Sequence, residues 1–147
     1  MAVKYIPDGY STITPFIIVK DAKKFIEYVN KAFNAELKSK FDAPDGKVMH
    51  AEIKIGESIL MLGEAMEQWP PFPGMLYLYV PDVDATYKQA MAAGGESLRE
   101  PTTEFYGDRS AGLRDAWGNQ WWLATHVEDV SEEEMEKRHK EMAAKQA

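Results

Sequence analysis

The chain contains no cysteine. Disulfides, thiolate nucleophiles and sulfur-ligated zinc are therefore excluded. Histidine is scarce, with three residues, and no glycine-rich phosphate loop is present. Gly94–Gly95 instead sits where a helix pattern ends, the usual place for a left-handed cap. No run approaches the roughly 18 apolar residues of a membrane span, and residues 1–12 lack the apolar core of a signal peptide. Basic residues are the minority, 17 Lys and Arg against 24 Asp and Glu, for a net charge of −7. That sign disfavours nucleic acid and anionic membrane surfaces as partners. These absences point to a cytoplasmic protein. What is present is 45% hydrophobic content in 147 residues, enough for one globular domain with a core.

The chain also repeats itself. Val19, Asp21, Met61 and Leu62 recur 61 positions later as Val80, Asp82, Trp122 and Leu123. Residues 14–33 read as an apolar strand, a turn at Asp21 and an amphipathic helix, and residues 75–94 read the same way. A unit of this size cannot bury its apolar face alone, so the two must pack together.

The patterning predicts strand Thr12–Val19, a helix capped by Asp21, and strands Leu37–Phe41, Lys47–Ile55 and Ser58–Leu62. The second half predicts strand Leu76–Val80, helix Val83–Ala93, and strands Glu96–Glu100, Ser110–Asp115 and Gln120–Ala124. Both halves are β-α-β-β-β, an α+β arrangement. Residues 1–130 form one domain, with module one about 9–63, a proline-rich linker 64–74 and module two about 75–126. Residues 131–147 form a charged helix opened by a Ser131/Glu134 capping box. That helix is either docked, with a partner subunit the expected surface, or frayed.

The paired modules, "TPFIIVKDA", "HAEIKIGESILMLGE" and the run "YGDRSAGLRDAWGNQWWLATHVEDVSEEEM" resemble the vicinal oxygen chelate superfamily. This is the glyoxalase, bleomycin-resistance and extradiol-dioxygenase group, and the likeness is to its PhnB-like branch. The resemblance covers residues 9–138. It implies an incomplete eight-stranded β-barrel with helices outside, modules paired within or between chains, and a divalent metal held by His and Glu. The metal positions carry over to Thr14, Met61, Met75 and Trp122. Hydroxyl, thioether and indole do not replace carboxylate and imidazole around a hard cation. The expectation is no metal and no cofactor. The alternative is a relocated divalent metal drawn from His50, Glu52, His126, Glu104 and Asp108.

Strand alternation places Thr14, Phe16, Ile18, Ile59, Met61, Met75, Tyr77, Tyr79, Gln120 and Trp122 on the cavity face. An aromatic, Met-rich wall suits a flat apolar ligand, or else these side chains simply fill a small barrel. Tyr106 and Arg109, in the loop Thr102–Gly112, are further ligand candidates at the cavity mouth. Arg109 either clamps an anionic group or pins the loop through a neighbouring Asp. His126 is expected to cap loop backbone and His139 to be solvated. His50, Glu52 and Glu104 are the candidate catalytic side chains. The reading is a metal-free homodimer of the bleomycin-resistance kind that binds a small apolar or aromatic molecule. The alternative is a lyase, isomerase or dioxygenase using a relocated metal or a carboxylate base.

Overall fold

The structure is a computed structural model that describes residues 2–146. Met1 and Ala147, at the ends of the expected domain and tail, lie outside the described residues. Module one is β1 (Phe16–Val19), α1 (Ala22–Phe33), β2 (Glu36–Asp42), β3 (Val48–Ile55) and β4 (Ser58–Glu64). Module two is β5 (Met75–Tyr79), α2 (Val83–Ala92), β6 (Glu96–Thr103), β7 (Asp108–Arg114) and β8 (Gln120–His126). The tail is α3 (Glu132–Gln146). The fold is α+β, with two mixed four-stranded sheets ordered β1-β4-β3-β2 and β5-β8-β7-β6. No described helix is long and apolar enough to cross a membrane.

The repeat is carried into the hydrogen bonding. Phe16 lies beside Met61 in the parallel β1–β4 pair, and Tyr77 lies beside Trp122 in the parallel β5–β8 pair. Asp21 and Asp82 both cap their helices, accepting from Lys24 N and Ala85 N. Asp21 holds a left-handed φ of 66°. Glu64 supports it by accepting from Asp21 N and Ala22 N at 2.8 and 3.0 Å. The equivalent position 61 residues on is Thr125, whose hydroxyl accepts from Val83 N at 2.9 Å. Each module thus fastens its helix to the end of its last strand.

The helices lie between the modules. Ile17, Val19, Ala51, Ile53, Leu60 and Leu62 of sheet one and Leu113, Trp121 and Leu123 of sheet two belong to one buried core with Phe25, Val29 and Phe33 of α1. The Trp121 ring stacks on Phe25 at 6.4 Å and meets Phe33 at 4.6 Å. Gln89 Nε2 of α2 donates to Lys31 O and Asn34 Oδ1 of module one. The apolar stripe of α1 and the inner faces of both sheets are satisfied by this packing.

Packing of this kind leaves the barrel incomplete, as expected. The two sheets share no strand pairing, so no barrel closes within the chain. Each sheet covers one face with helix and turns the other outward. Other differences are local. β1 begins at Phe16, so Thr14 lies before the strand, with Oγ1 donating to Ser11 O at 2.9 Å. Most of the expected loop Thr102–Gly112 is strand, because β6 runs to Thr103 and β7 starts at Asp108. Register shifts between Ser97, Arg99 and Thr102 break the alternation that a sequence reading relies on.

Candidate functional site

The outward face of module two is assembled by register. Tyr77 and Tyr79 of β5 stand beside Trp122 and Ala124 of β8, and those stand beside Gly112 and Ser110 of β7. Asp108 and His126 form the last cross-strand pair. Arg99 of β6 lies opposite Gly112. The Trp122 ring lies across Gly112, where a Cβ would sit 2.6 Å from Cζ3. Only glycine leaves the indole flat at this point. The Arg99 guanidinium stands 5.1 Å from the Trp122 ring centroid, within cation–π reach.

Asp108 organises the polar half of this wall. It is 5% exposed. Tyr79 Oη donates to its Oδ2 at 3.0 Å, and Tyr77 Oη reaches the same oxygen at 3.4 Å. Its Oδ1 is 2.8 Å from His126 Nδ1, while His126 Nε2 is 2.7 Å from Asp129 Oδ1. Ionised carboxylates only accept, so a carboxylate at each ring nitrogen favours the doubly protonated, cationic imidazole. The Asp108 bond, followed by that to Asp129, raises the His126 pKa above 6.5. The Asp108 hydrogen bond raises Tyr79 above its ordinary 10.0. Burial, then Tyr106, raises Tyr77. Both phenols therefore keep the proton they donate.

This geometry sets a pH dependence. The folded His126 pKa is raised, so its stabilisation is complete below pH 6.5 and is lost as pH climbs through the folded midpoint. Histidine NMR titration is expected to give a midpoint above 6.5 for His126, moving back toward that value in Asp108→Asn. A wild-type midpoint at or below it contradicts the paired geometry.

The outward face of module one carries Phe16, Met61, His50 and Glu52. Glu52 lies opposite Met61 and His50 opposite Gly63. Tyr10 Oη donates to Glu52 Oε2 in a short hydrogen bond, and Ser39 Oγ donates to the same oxygen at 3.1 Å. His50 Nε2 lies 3.7 Å from Glu52 Oε1. The Tyr10 bond holds the Glu52 carboxyl below its ordinary range. His50 is flanked by the rings of Phe16 and Phe41.

Side chains predicted for the site divide into groups. Phe16 and Met61 share one wall; Met75, Tyr77, Tyr79, Gln120 and Trp122 share the other. Thr14 and Ile59 line, together with Tyr77 and Tyr79 of that second wall, a cleft of about 820 Å³ between the modules that Phe33 and Trp121 also line. Arg109 stands one residue out of phase with Asp108. It forms a bidentate pair with Asp84 of α2, at 2.8 and 3.0 Å, and so pins α2 to β7. Its partner is thus Asp84 rather than the adjacent Asp108. Glu104 salt-bridges Arg99 at 3.0 Å. His126 pairs with carboxylates rather than capping backbone, while His139 is exposed, its ring tilted against Phe105 with the centroids 5.7 Å apart. Sequence reasoning missed Arg99 and Ser110, which meet in a short hydrogen bond.

The donor set does not fit a divalent metal. Thr14 offers a single neutral hydroxyl, its proton directed at Ser11 O, and Trp122 Nε1 is a donor only, engaged with Gln120 Oε1 at 3.1 Å. Met61 and Met75 offer thioether sulfur, a poor ligand for a hard ion. Met61 and Trp122 also stand on different sheets. Among the described residues no group of three or more His, Asp or Glu is placed to hold a metal ion.

A family model described as Glyoxalase/Bleomycin resistance protein/Dioxygenase superfamily matches residues 11–123. An uncharacterized protein of Mycobacterium bovis is 29% identical over 135 residues, covering 84% of this chain and 89% of that protein. Among solved structures, TioX from Micromonospora sp. ML1 superposes with a TM-score of 0.70 at 21% identity, covering 80% of this chain and 99% of TioX. A PhnB protein from Bacillus cereus gives a TM-score of 0.63 at 17% identity, covering 78% of this chain and 99% of that one. At such identities these structures speak to the fold alone. The family match spans both modules from the leader to the last strand, and the chain belongs to the glyoxalase/bleomycin resistance protein/dioxygenase superfamily.

Proposed function

We propose that this protein is a metal-free receptor of the bleomycin-resistance kind, holding a small apolar or aromatic molecule. The site is the space formed when the module-one wall of one copy meets the module-two wall of another. The observation that carries this reading is the exposure of the two walls. Phe16, Met75, Tyr77 and Tyr79 are 48%, 64%, 46% and 67% exposed. Contiguous apolar surface of this kind marks an interaction site.

The sheet edges support the second copy. Gly74 O accepts from Gln120 N and Val80 N donates to Ala124 O. By the two-residue repeat, Met75, Tyr77 and Tyr79 turn their N–H and C=O groups away from β8. The edge Met-Leu-Tyr-Leu-Tyr has no charge, proline or bulge to protect it, and such edges call for a strand partner. The edge of β1 is met by a single bridge, Ile18 to Phe72.

The catalytic alternative has less support. Glu52 is held toward its charged form by Tyr10, which makes it a weaker base. The test is elemental analysis and calorimetry on protein purified without chelator or affinity metal. Sub-stoichiometric metal together with saturable binding of naphthol is the expected result. Stoichiometric Zn, Ni, Mn or Fe overturns the proposal.

A further inference from the structure

Resting on that receptor reading, the walls also specify which aromatic molecules they take. Tyr79 commits its single hydroxyl proton to Asp108, and Tyr77 points its own at the same oxygen. On the opposite wall Tyr10 and Ser39 commit theirs to Glu52. A hydroxyl whose proton is already donated presents only lone pairs. Two carboxylates, one on each module, thus convert four hydroxyls into acceptors.

Each of the wall's donor groups has a protein partner, with two terminal N–H bonds of Arg99 left over. Arg99 is tied to Glu104 and Ser110, His126 to Asp108 and Asp129, and Trp122 Nε1 to Gln120. The Arg99 Nε–H is buried and does not reach the surface. A ligand that brings only acceptors would set lone pair against lone pair, and an anion would also meet the net negative charge that Asp108, Asp129 and Glu52 leave after Glu104 balances Arg99 and one carboxylate balances His126. A ligand that brings an N–H or O–H completes the hydroxyls' unused capacity.

We propose that this site selects planar, apolar-bodied molecules carrying a hydrogen-bond donor, neutral or cationic, and rejects isosteres that offer only acceptors or a negative charge. Tyr79 and Tyr10 set the selectivity by touching the ligand, and Asp108 and Glu52 act through them as positioning residues.

The experiment is calorimetric titration of the full chain with matched probes: indole against N-methylindole, naphthol against methoxynaphthalene, and naphthoate. The donor member of each pair is expected to bind about tenfold tighter, a difference of about 1.4 kcal/mol, with naphthoate weakest. Tyr79→Phe and Tyr10→Phe should each shrink the ratio toward one. Asp108→Ala should shrink it as well, because loss of the acceptor frees the Tyr79 proton. Pairs that bind within twofold of each other overturn this inference and leave the receptor reading intact. No binding of any probe up to its solubility limit overturns the receptor reading and the inference together. A ratio that persists in both tyrosine variants also overturns the assignment, because the selectivity then comes from elsewhere.

Discussion

Replacing Asp115 with alanine is expected to destabilise the fold by about 3–5 kcal/mol, among the largest effects a single substitution can have in this chain. Asp115 is buried in the turn that joins β7 to β8. Its Oδ1 accepts from Trp117 N and Asn119 N, both at 2.9 Å. Its Oδ2 accepts from Asn119 Nδ2 at 3.0 Å and from Trp121 Nε1 at 2.8 Å. Alanine strands all four donors, and those of Asn119 and Trp121 are fully buried.

The damage spreads because the same residues tie neighbouring parts together. Asn119 Oδ1 accepts from Gly74 N at the head of β5. Trp117 Nε1 donates to Lys20 O in module one, and Trp121 packs on Phe25 and Phe33. Urea unfolding should show the loss as a shifted midpoint, and thermal melting as a fall on the order of 10 °C. Asp115→Asn should cost less, since one oxygen still accepts. A loss below about 1 kcal/mol for the alanine variant would show that this carboxylate is not the anchor. The run "RDAWGNQWWLATH" that marks the family resemblance is, on this account, largely a folding element. Its Asp, Asn and first Trp of the pair build a turn, while Gln120, the second Trp of the pair and His126 belong to the candidate site.

The division within that run shows what a sequence can and cannot reveal. The repeat was legible because the offset of 61 preserves both parity and capping, down to Glu64 and Thr125. Wall orientation was legible for the same reason, since pleating fixes which side Tyr77 and Trp122 take once the strands are placed. Arg99 was hidden because β6 shifts register on both sides of it, so periodicity assigns it no face. The linkage of Asp108 to His126 depends on cross-strand pairing between residues 18 apart, which no local pattern encodes. Arg109 was ambiguous because a guanidinium suits an anionic ligand or a structural carboxylate equally. Only the placement of α2 supplies Asp84 as the partner. How the modules dock was not legible at all. Apolar residues on both faces of each sheet fit a closed barrel or an open pair of walls equally well.

That last ambiguity makes Met75→Lys the most discriminating substitution for assembly. In the isolated chain Met75 lies on an exposed wall and an unpaired edge. A lysine there should change the stability of the single chain by no more than about 0.5 kcal/mol. Lysine on an edge strand is itself a common means of blocking strand addition. If a second copy seats on β5, the ammonium group must be buried without a partner, which costs several kcal/mol. Association should therefore weaken at least about 100-fold, corresponding to about 2.7 kcal/mol, and aromatic probe binding should fall with it. Sedimentation velocity across a concentration series, run beside a thermal melt, separates the two effects. The expected result is a wild-type dimer and a monomeric variant with nearly the same melting temperature. A wild-type chain that stays monomeric at all concentrations, or a variant that dimerises normally, would mean that the open walls of Phe16 and Tyr77 serve something other than a second copy. A variant that loses association but keeps full probe affinity would place the ligand within a single chain, with the cleft lined by Phe33 and Trp121 as its seat.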